Sequence, residues 1–210
     1  MKHEVSIPLV TTIKERCRVC FTCVRECPAK AIRIADGQAE ILPERCIGCG
    51  NCVRVCSQGA KAVPDWIPMV EALFGEDVPI AAIVAPSFPA EFHDIEPATL
   101  VGMIRKLGFT SVHEVGFGAD LVALEYQRLL AEDKDKRWIA TTCPAVVAYV
   151  ERYHPELVDS LSPVVSPMIA MARMLKRLHG EMLRIVFIGP CVAKKGEALS
   201  QHVADEVDVA

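Results

Sequence analysis

No stretch of the 210 residues approaches the roughly 18 consecutive apolar positions that a membrane-crossing helix requires. The N-terminus, MKHEVSIPLVTT, lacks both the apolar core and the small-residue cleavage site of a secretory leader. A basic stripe is also missing. The 23 Lys and Arg are scattered among 27 Asp and Glu, and the formal charge is -4, so nothing resembles the footprint of a protein that tracks a phosphate backbone. The composition is 51% hydrophobic, which excludes disorder and suffices to fill a core. These absences predict a soluble, cytoplasmic protein with no membrane span and no nucleic-acid partner.

Cysteine, by contrast, is abundant. Of ten cysteines, eight fall in two runs, CRVCFTCVRECPAKAI at 17–32 and CIGCGNCVRVCSQGAK at 46–61. Two-residue spacers are too crowded for independent disulfide staples and suit a metal, which implies a reducing compartment. Cys17, Cys20, Cys23 and Cys27 recur 29 residues later as Cys46, Cys49, Cys52 and Cys56, so the segment is a duplicated unit. In C-x-x-C-x-x-C three thiolates converge on three corners of an iron-sulfur cube, while a fourth, placed at the start of a helix that points away, serves the other cluster. Cys17, Cys20, Cys23 and Cys56 are thereby assigned to one 4Fe-4S cluster, and Cys46, Cys49, Cys52 and Cys27 to a second. Zinc is the competing occupant of paired C-x-x-C motifs, but a duplicated set of three successive thiols plus a fourth disfavours it. The function expected of such a pair is electron transfer.

After each cysteine run comes a short apolar stretch. AIRIADGQAEI predicts a hairpin turning at Asp36-Gly37, and AKAV a further strand. Pro64, Pro68 and Pro79 mark a boundary near residue 65, giving a two-cluster domain at 1–65 and a second domain at 66–210. In the second domain VPIAAIVAP reads as a buried parallel strand and 96–107 as a helix ended by Gly108. SVHEV, WIATT, LRIVFIG and EVDVA read as strands, and 118–132, 145–153 and 166–179 as helices. This alternation predicts a largely parallel, right-handed α/β sheet, and the chain ends inside a strandlike stretch. Met168, Met171, Met174 and Leu175 lie at helical spacing and suit a buried face. The histidines at 93, 113, 154 and 179 are expected at the surface or satisfied.

Residues 8–64 resemble the bacterial-type ferredoxin domain with two 4Fe-4S clusters. Pro28 follows Cys27 as that family's pattern has it, whereas Ser57 follows Cys56. Proline at that place shapes the loop and is not a ligand.

Cys143 and Cys191 each follow a predicted strand, where ligands of open α/β sheets collect. Spacing alone favours reading them as small buried hydrophobes. VAPS at 84–87, GFTSVHEVGFGADLVALE, TTCPAVVAYVERYHPEL with LSPVVSP behind it, and GPCVAKKGE make residues 78–210 resemble the N-terminal half of the catalytic domain of iron-iron hydrogenases. That resemblance implies an H-cluster-type site, with Cys143 and Cys191 as two of a cube's four ligands. It also implies that Lys194 is the lysine donating to a cyanide, that Ala85, Pro86 and Ser87 form the loop against the two-iron unit, and that Pro190 precedes the second ligand.

The departures concentrate where protons should move. The family's proton-delivering cysteine is Thr142, its two relay glutamates fall on Tyr126 and Leu129, its serine is kept as Ser162, and the methionine of its second motif is Gly189. A hydroxyl, with its far higher pKa, is a poor relay. No cysteine follows Cys191, so the third motif with the other two cube ligands is missing, and a third 4Fe-4S cluster or an H-cluster would need ligands from elsewhere. The resemblance therefore implies an iron-sulfur electron-transfer protein feeding a degenerate or incomplete H-cluster domain, in redox or hydrogen sensing. A ferredoxin or a downstream signalling domain would be its redox partner. The alternatives are the electron-relay portion of a hydrogen-evolving or hydrogen-oxidising ferredoxin hydrogenase, and a scaffold that only carries clusters.

Overall fold

The structure is a computed structural model that describes residues 8–203 and 205–210; the leader reading of the first seven residues lies outside it. In chain order the elements are β1 (Thr11–Thr12), α1 (Thr22–Glu26), β2 (Ile32–Ala35), β3 (Gln38–Ile41), α2 (Asn51–Arg54), β4 (Lys61–Ala62), α3 (Ile67–Leu73), β5 (Ile80–Val84) and α4 (Phe88–Glu91). There follow α5 (Pro97–Lys106), β6 (Ser111–Glu114), α6 (Val115–Glu132), α7 (Pro144–Tyr153), α8 (Pro167–His179), β7 (Arg184–Ile188) and α9 (Val192–Ala198). The chain divides into two compact units. The first comprises residues up to Asp65 together with Cys143–Asp159 and Cys191–Ser200; the second comprises Trp66–Thr142, Ser160–Pro190 and Gln201–Ala210. Two segments late in the sequence, those beginning at Cys143 and Cys191, thus belong spatially with the cysteine repeat.

In the first unit β2 and β3 form the expected hairpin, in register Ile32↔Ile41 to Ala35↔Gln38, with both turn residues at positive φ (Asp36 48°, Gly37 69°). Two such residues make the primed turn whose twist matches the flanking strands. The stretch at AKAV forms β4 and pairs antiparallel with β1, Thr12 opposite Lys61. The helices of the cysteine runs differ from expectation. The fourth cysteine does not start a helix: α1 holds Cys23 and ends at Cys27, while α2 holds Cys52 and Cys56 follows it. One helical turn is all that fits between the third and fourth thiols. One buried cluster of this unit is built from Cys23, Cys27, Ala29, Ala31, Ile32 and Ala39, with Tyr153 packed against it.

In the second unit β6, β5 and β7 form a parallel sheet in that order, with β5 buried at every residue. Burial on both faces explains its unbroken apolar run. One face packs Trp66, Leu73, Leu100, Ile104 and Phe109 around Ile80, Ala82 and Val84. Helix α8 buries Met168, Ile169, Met171 and Leu175, the predicted methionine face, while Met174 is only half-buried. It packs closely on α6, where a Cβ at Gly118 would stand 2.3 Å from the Pro167 carbonyl oxygen.

WIATT is not a strand. Ile139 makes a single parallel bridge to Leu161, and Thr141 turns its polar groups to other partners: its N–H donates to Tyr126 Oη at 3.0 Å and its hydroxyl to the Val164 carbonyl at 2.5 Å. EVDVA likewise contributes one bridge, Val186↔Val209. Helix α6 begins at Val115, three residues before its predicted start, and α3 and α9 had no sequence expectation at all.

Candidate metal centres

The two cysteine loops are built alike in backbone as well as in thiols. Val19, Phe21 and Lys30 have φ of 52°, 62° and 48°; their counterparts 29 residues on, Gly48, Gly50 and Gly59, have 68°, 73° and 56°. Each loop thus needs three left-handed residues at fixed places. The first copy forces ordinary side chains, including a β-branched valine, into a conformation that disfavours them. The sulfur contacts repeat too: Ala31 N–H donates to Cys27 Sγ and Ala60 N–H to Cys56 Sγ, each at 3.3 Å.

Each predicted quartet lines one cavity. Cys27, Cys46, Cys49 and Cys52 surround one space, otherwise walled by Val10, Ala29, Ala31, Ile32, Ile41 and Ile47 among others. Cys17, Cys20, Cys23 and Cys56 line a second with Phe21, Ala39, Ala60 and Lys61. Among the described residues no three His, Cys, Asp or Glu side chains close on a single ion; the thiols ring a volume instead. A largely apolar space edged by four thiols and an N–H aimed at sulfur fits a thiolate-bound cube of iron and sulfide, for which burial and hydrogen bonds to sulfur are the tuning elements. Burial pushes the Cys52 thiol up to about 11 and raises Cys23 and Cys46 as well, whereas the hydrogen bond with Thr22 lowers exposed Cys20.

Cys143 and Cys191 are exposed, each the residue before a helix: Cys143 before α7, Cys191 before α9. Their carbonyls accept the first helical N–H groups, Val146 to Cys143 O at 3.0 Å and Lys194 to Cys191 O at 3.1 Å. The two helices pack on each other. Both also reach the second cysteine loop. Arg152 of α7 donates to the carbonyls of Cys46 and Pro43, and Tyr153 Oη to those of Ala29 (2.5 Å) and Arg45 (3.0 Å). Val192 of α9 stands against Gly50, where a Cβ would come within 3.1 Å of its Cγ2. Exposure at both thiols rules out their being buried small hydrophobes.

Lys194 is no solvated surface lysine: it is buried, and its Nζ donates to Glu197 Oε2 at 2.6 Å. Its neighbour Lys195 has its pKa lowered by burial, partly offset by Asp65. Ala85 is buried and receives the β7 register through its N–H to Ile188 O at 2.8 Å; Pro86, Ser87 and Pro190 are exposed. At Gly189 a Cβ would lie 2.7 Å from Phe187 Cζ and 2.8 Å from Ala85 Cβ, so no methionine fits there with the backbone as it stands. Tyr126 Oη binds Thr141, Ser162 is buried and accepts the Val164 N–H at 3.2 Å, and Leu129 is half-buried. His113 bonds Ser111 Oγ at 2.9 Å and His154 bonds Glu156 at 3.1 Å.

Sequence reasoning missed Arg152, Tyr153 and Lys61. The first two lie over a hundred positions from the loop they bind, and the partners of Lys61, Thr12 and Ala39, are 49 and 22 positions away.

Residues 78–210 match the family described as iron only hydrogenase large subunit, C-terminal domain, and residues 9–57 match the 4Fe-4S dicluster domain. The periplasmic [Fe] hydrogenase large subunit of Nitratidesulfovibrio vulgaris is 30% identical over 210 residues, 88% of this chain and 50% of that protein. The cytosolic Fe-S cluster assembly factor NAR1 of Yarrowia lipolytica is 30% identical over 103 residues, 46% of this chain and 21% of that one. A solved structure of the [FeFe]-hydrogenase HydA(deltaEFG) superposes with a TM-score of 0.55 at 23% identity, covering 70% of this chain and 44% of that one, which is a likeness of fold. The chain spans about half the length, or less, of these relatives. No helix among the described residues is long and apolar enough to cross a membrane.

Proposed function

The chain belongs to the iron-only hydrogenase family, with a 4Fe-4S dicluster segment ahead of the hydrogenase segment, and from that premise we propose that it is an electron-transfer protein serving redox or hydrogen sensing. In this reading residues 1–65 are the two-cluster domain and 66–210 the hydrogenase-like domain. Cys17, Cys20, Cys23 and Cys56 hold one 4Fe-4S cluster and Cys46, Cys49, Cys52 and Cys27 the other. Cys143 and Cys191 are ligands of a degenerate or incomplete H-cluster-type centre. A bound cube supplies one-electron redox chemistry without moving atoms. The carrying observation is that the helices beginning at Cys143 and Cys191 both fasten to the loop of the second quartet, through Arg152, Tyr153 and Val192. These contacts support a path from the second quartet toward Cys143 and Cys191.

Sensing is favoured over turnover by the side chains at the positions where the resemblance places the proton relay. Thr142 stands where the resemblance places the proton-delivering thiol. The phenol of Tyr126, in a relay glutamate's place, is engaged with Thr141. A threonine hydroxyl, with a far higher pKa than a thiol, is a poor relay. Lys194, buried and paired with Glu197, retains the position of the cyanide-donating lysine. The partner in this reading is a ferredoxin-type electron carrier or a signalling domain. Anaerobic iron and sulfide analysis with EPR after reduction should give about eight iron per chain from two 4Fe-4S clusters. The matured full-length protein should not evolve hydrogen at rates typical of the family; if it does, sensing is wrong. A second reading, carriage or assembly of iron-sulfur clusters, draws support from relatives named as cluster assembly factors. Transfer of clusters from the loaded chain to an apo-acceptor, faster than their release to a chelator, would favour it.

A further inference from the structure

The two copies of the repeat differ at one chemically decisive position. With the 29-residue offset, Lys61 falls where the first copy has Ile32. Ile32 is buried and lines the cavity of Cys27, Cys46, Cys49 and Cys52. Lys61 is only 6% exposed and lines the cavity of Cys17, Cys20, Cys23 and Cys56. The cavities therefore share their thiols, left-handed turns and N–H···Sγ bonds, but one has an aliphatic wall and the other a cationic one.

The ammonium is held in place. Its Nζ donates to Thr12 Oγ1 at 2.5 Å and to Ala39 O at 3.4 Å, and the Thr12 hydroxyl in turn donates to Ala39 O at 2.6 Å. These partners are neutral, and no carboxylate among the described residues pairs with it. A buried cation without an anion is strongly unfavourable, so a negative charge is wanted in that cavity. The cysteines around it supply one once they are thiolates.

We propose that Lys61 is a fixed counter-charge that raises the reduction potential of the cluster held by Cys17, Cys20, Cys23 and Cys56 above that of its repeat-related partner. The inference rests on the reading that each quartet holds a cluster. Reduction adds one negative charge to a cluster, and a cation in the cavity wall stabilises that added charge in inverse proportion to distance and effective dielectric. Net charge and solvent exposure are recognised determinants of such potentials. Since α7 and α9 fasten to the second loop, the gradient runs from the side of Cys143 and Cys191 toward the first cluster. That direction suits a chain that passes electrons away from Cys143 and Cys191.

The test is an EPR-monitored redox titration of reconstituted wild-type, K61I and K61R proteins, with iron and sulfide measured on each. C20S and C49S proteins assign the signals to the two quartets. Wild type should show two midpoint potentials, the first quartet's higher. K61I, which copies the residue of the other repeat, should move the first quartet's potential negative and narrow the gap, and K61R should keep the gap. Should K61I load poorly, K61Q removes the charge while keeping a donor for Thr12, and the same narrowing is expected of it. A fully loaded neutral variant with an unchanged gap, an equal shift of both clusters, or the same shift in K61R would overturn the proposal. Wild-type protein that takes up fewer than about eight iron would instead overturn the two-cluster reading beneath it.

Discussion

Cys27 and Cys56 set the wiring between the two quartets, because each sits one helical turn beyond its own loop and lines the cavity of the other. Each receives a backbone N–H on sulfur, from Ala31 and Ala60. The crossed assignment makes a sharp genetic prediction. C27S should lower the iron content from about eight to about four per chain. If both ligate one cluster, adding C49S to it should remove no more, whereas adding C20S should remove the remainder. Uncrossed wiring would reverse the two double variants, and iron and sulfide analysis distinguishes them. The grouping of the thiols around two cavities was legible from spacing alone. Lys61, Arg152 and Tyr153 were not: their roles arise from contacts across 22 to 124 positions, which no local pattern encodes. The burial of Lys194 was hidden for the same reason, since a lysine beside Lys195 in sequence looks like a solvated pair.

Among the elements, those whose hydrogen bonds close within themselves or with a buried neighbour were readable. β5 announces itself as five buried apolar residues, α5 is opened by Pro97 and closed before Gly108, and the Asp36-Gly37 turn fixes its hairpin. WIATT has strand composition, but Thr141 spends its backbone and hydroxyl on Tyr126 and Val164, and one bridge survives. α9 was missed because VAKKGEA has a central Gly196 and adjoining lysines, yet that glycine faces Leu9, where a Cβ would come within 2.8 Å. The packing of α6 on α8 depends on a similar absence of a side chain. G118A would drive a Cβ into the Pro167 carbonyl, a backbone atom that cannot swing aside. Overpacking of this kind should destabilise the second unit by about 1–3 kcal/mol, read as a lowered denaturation midpoint with an unchanged slope. The helical propensity gained by replacing glycine with alanine, about 1 kcal/mol, would partly offset that loss.

For the whole molecule, the two units differ in what holds them together. The second has a parallel sheet covered by large side chains, among them Trp66, Leu100, Ile104 and Phe109, which bury enough apolar surface to be stable unaided. Among the described residues the first buries mostly small side chains, Cys23, Cys27 and several alanines, with Val10, Ile32 and Val150 the larger ones, so its apolar core is the poorer of the two. Cluster binding is expected to add to its stability, because ligand bound to the folded form and not to the unfolded chain stabilises by mass action. Thermal unfolding of loaded protein should therefore show two transitions, one followed by the visible absorbance of the clusters and one by tryptophan fluorescence, since Trp66 and Trp138 both lie in the second unit. Stripping iron anaerobically should abolish the first transition and the helical signal that accompanies it, while the tryptophan transition stays in place. If the tryptophan transition vanishes with the iron, the second unit does not stand on its sheet alone.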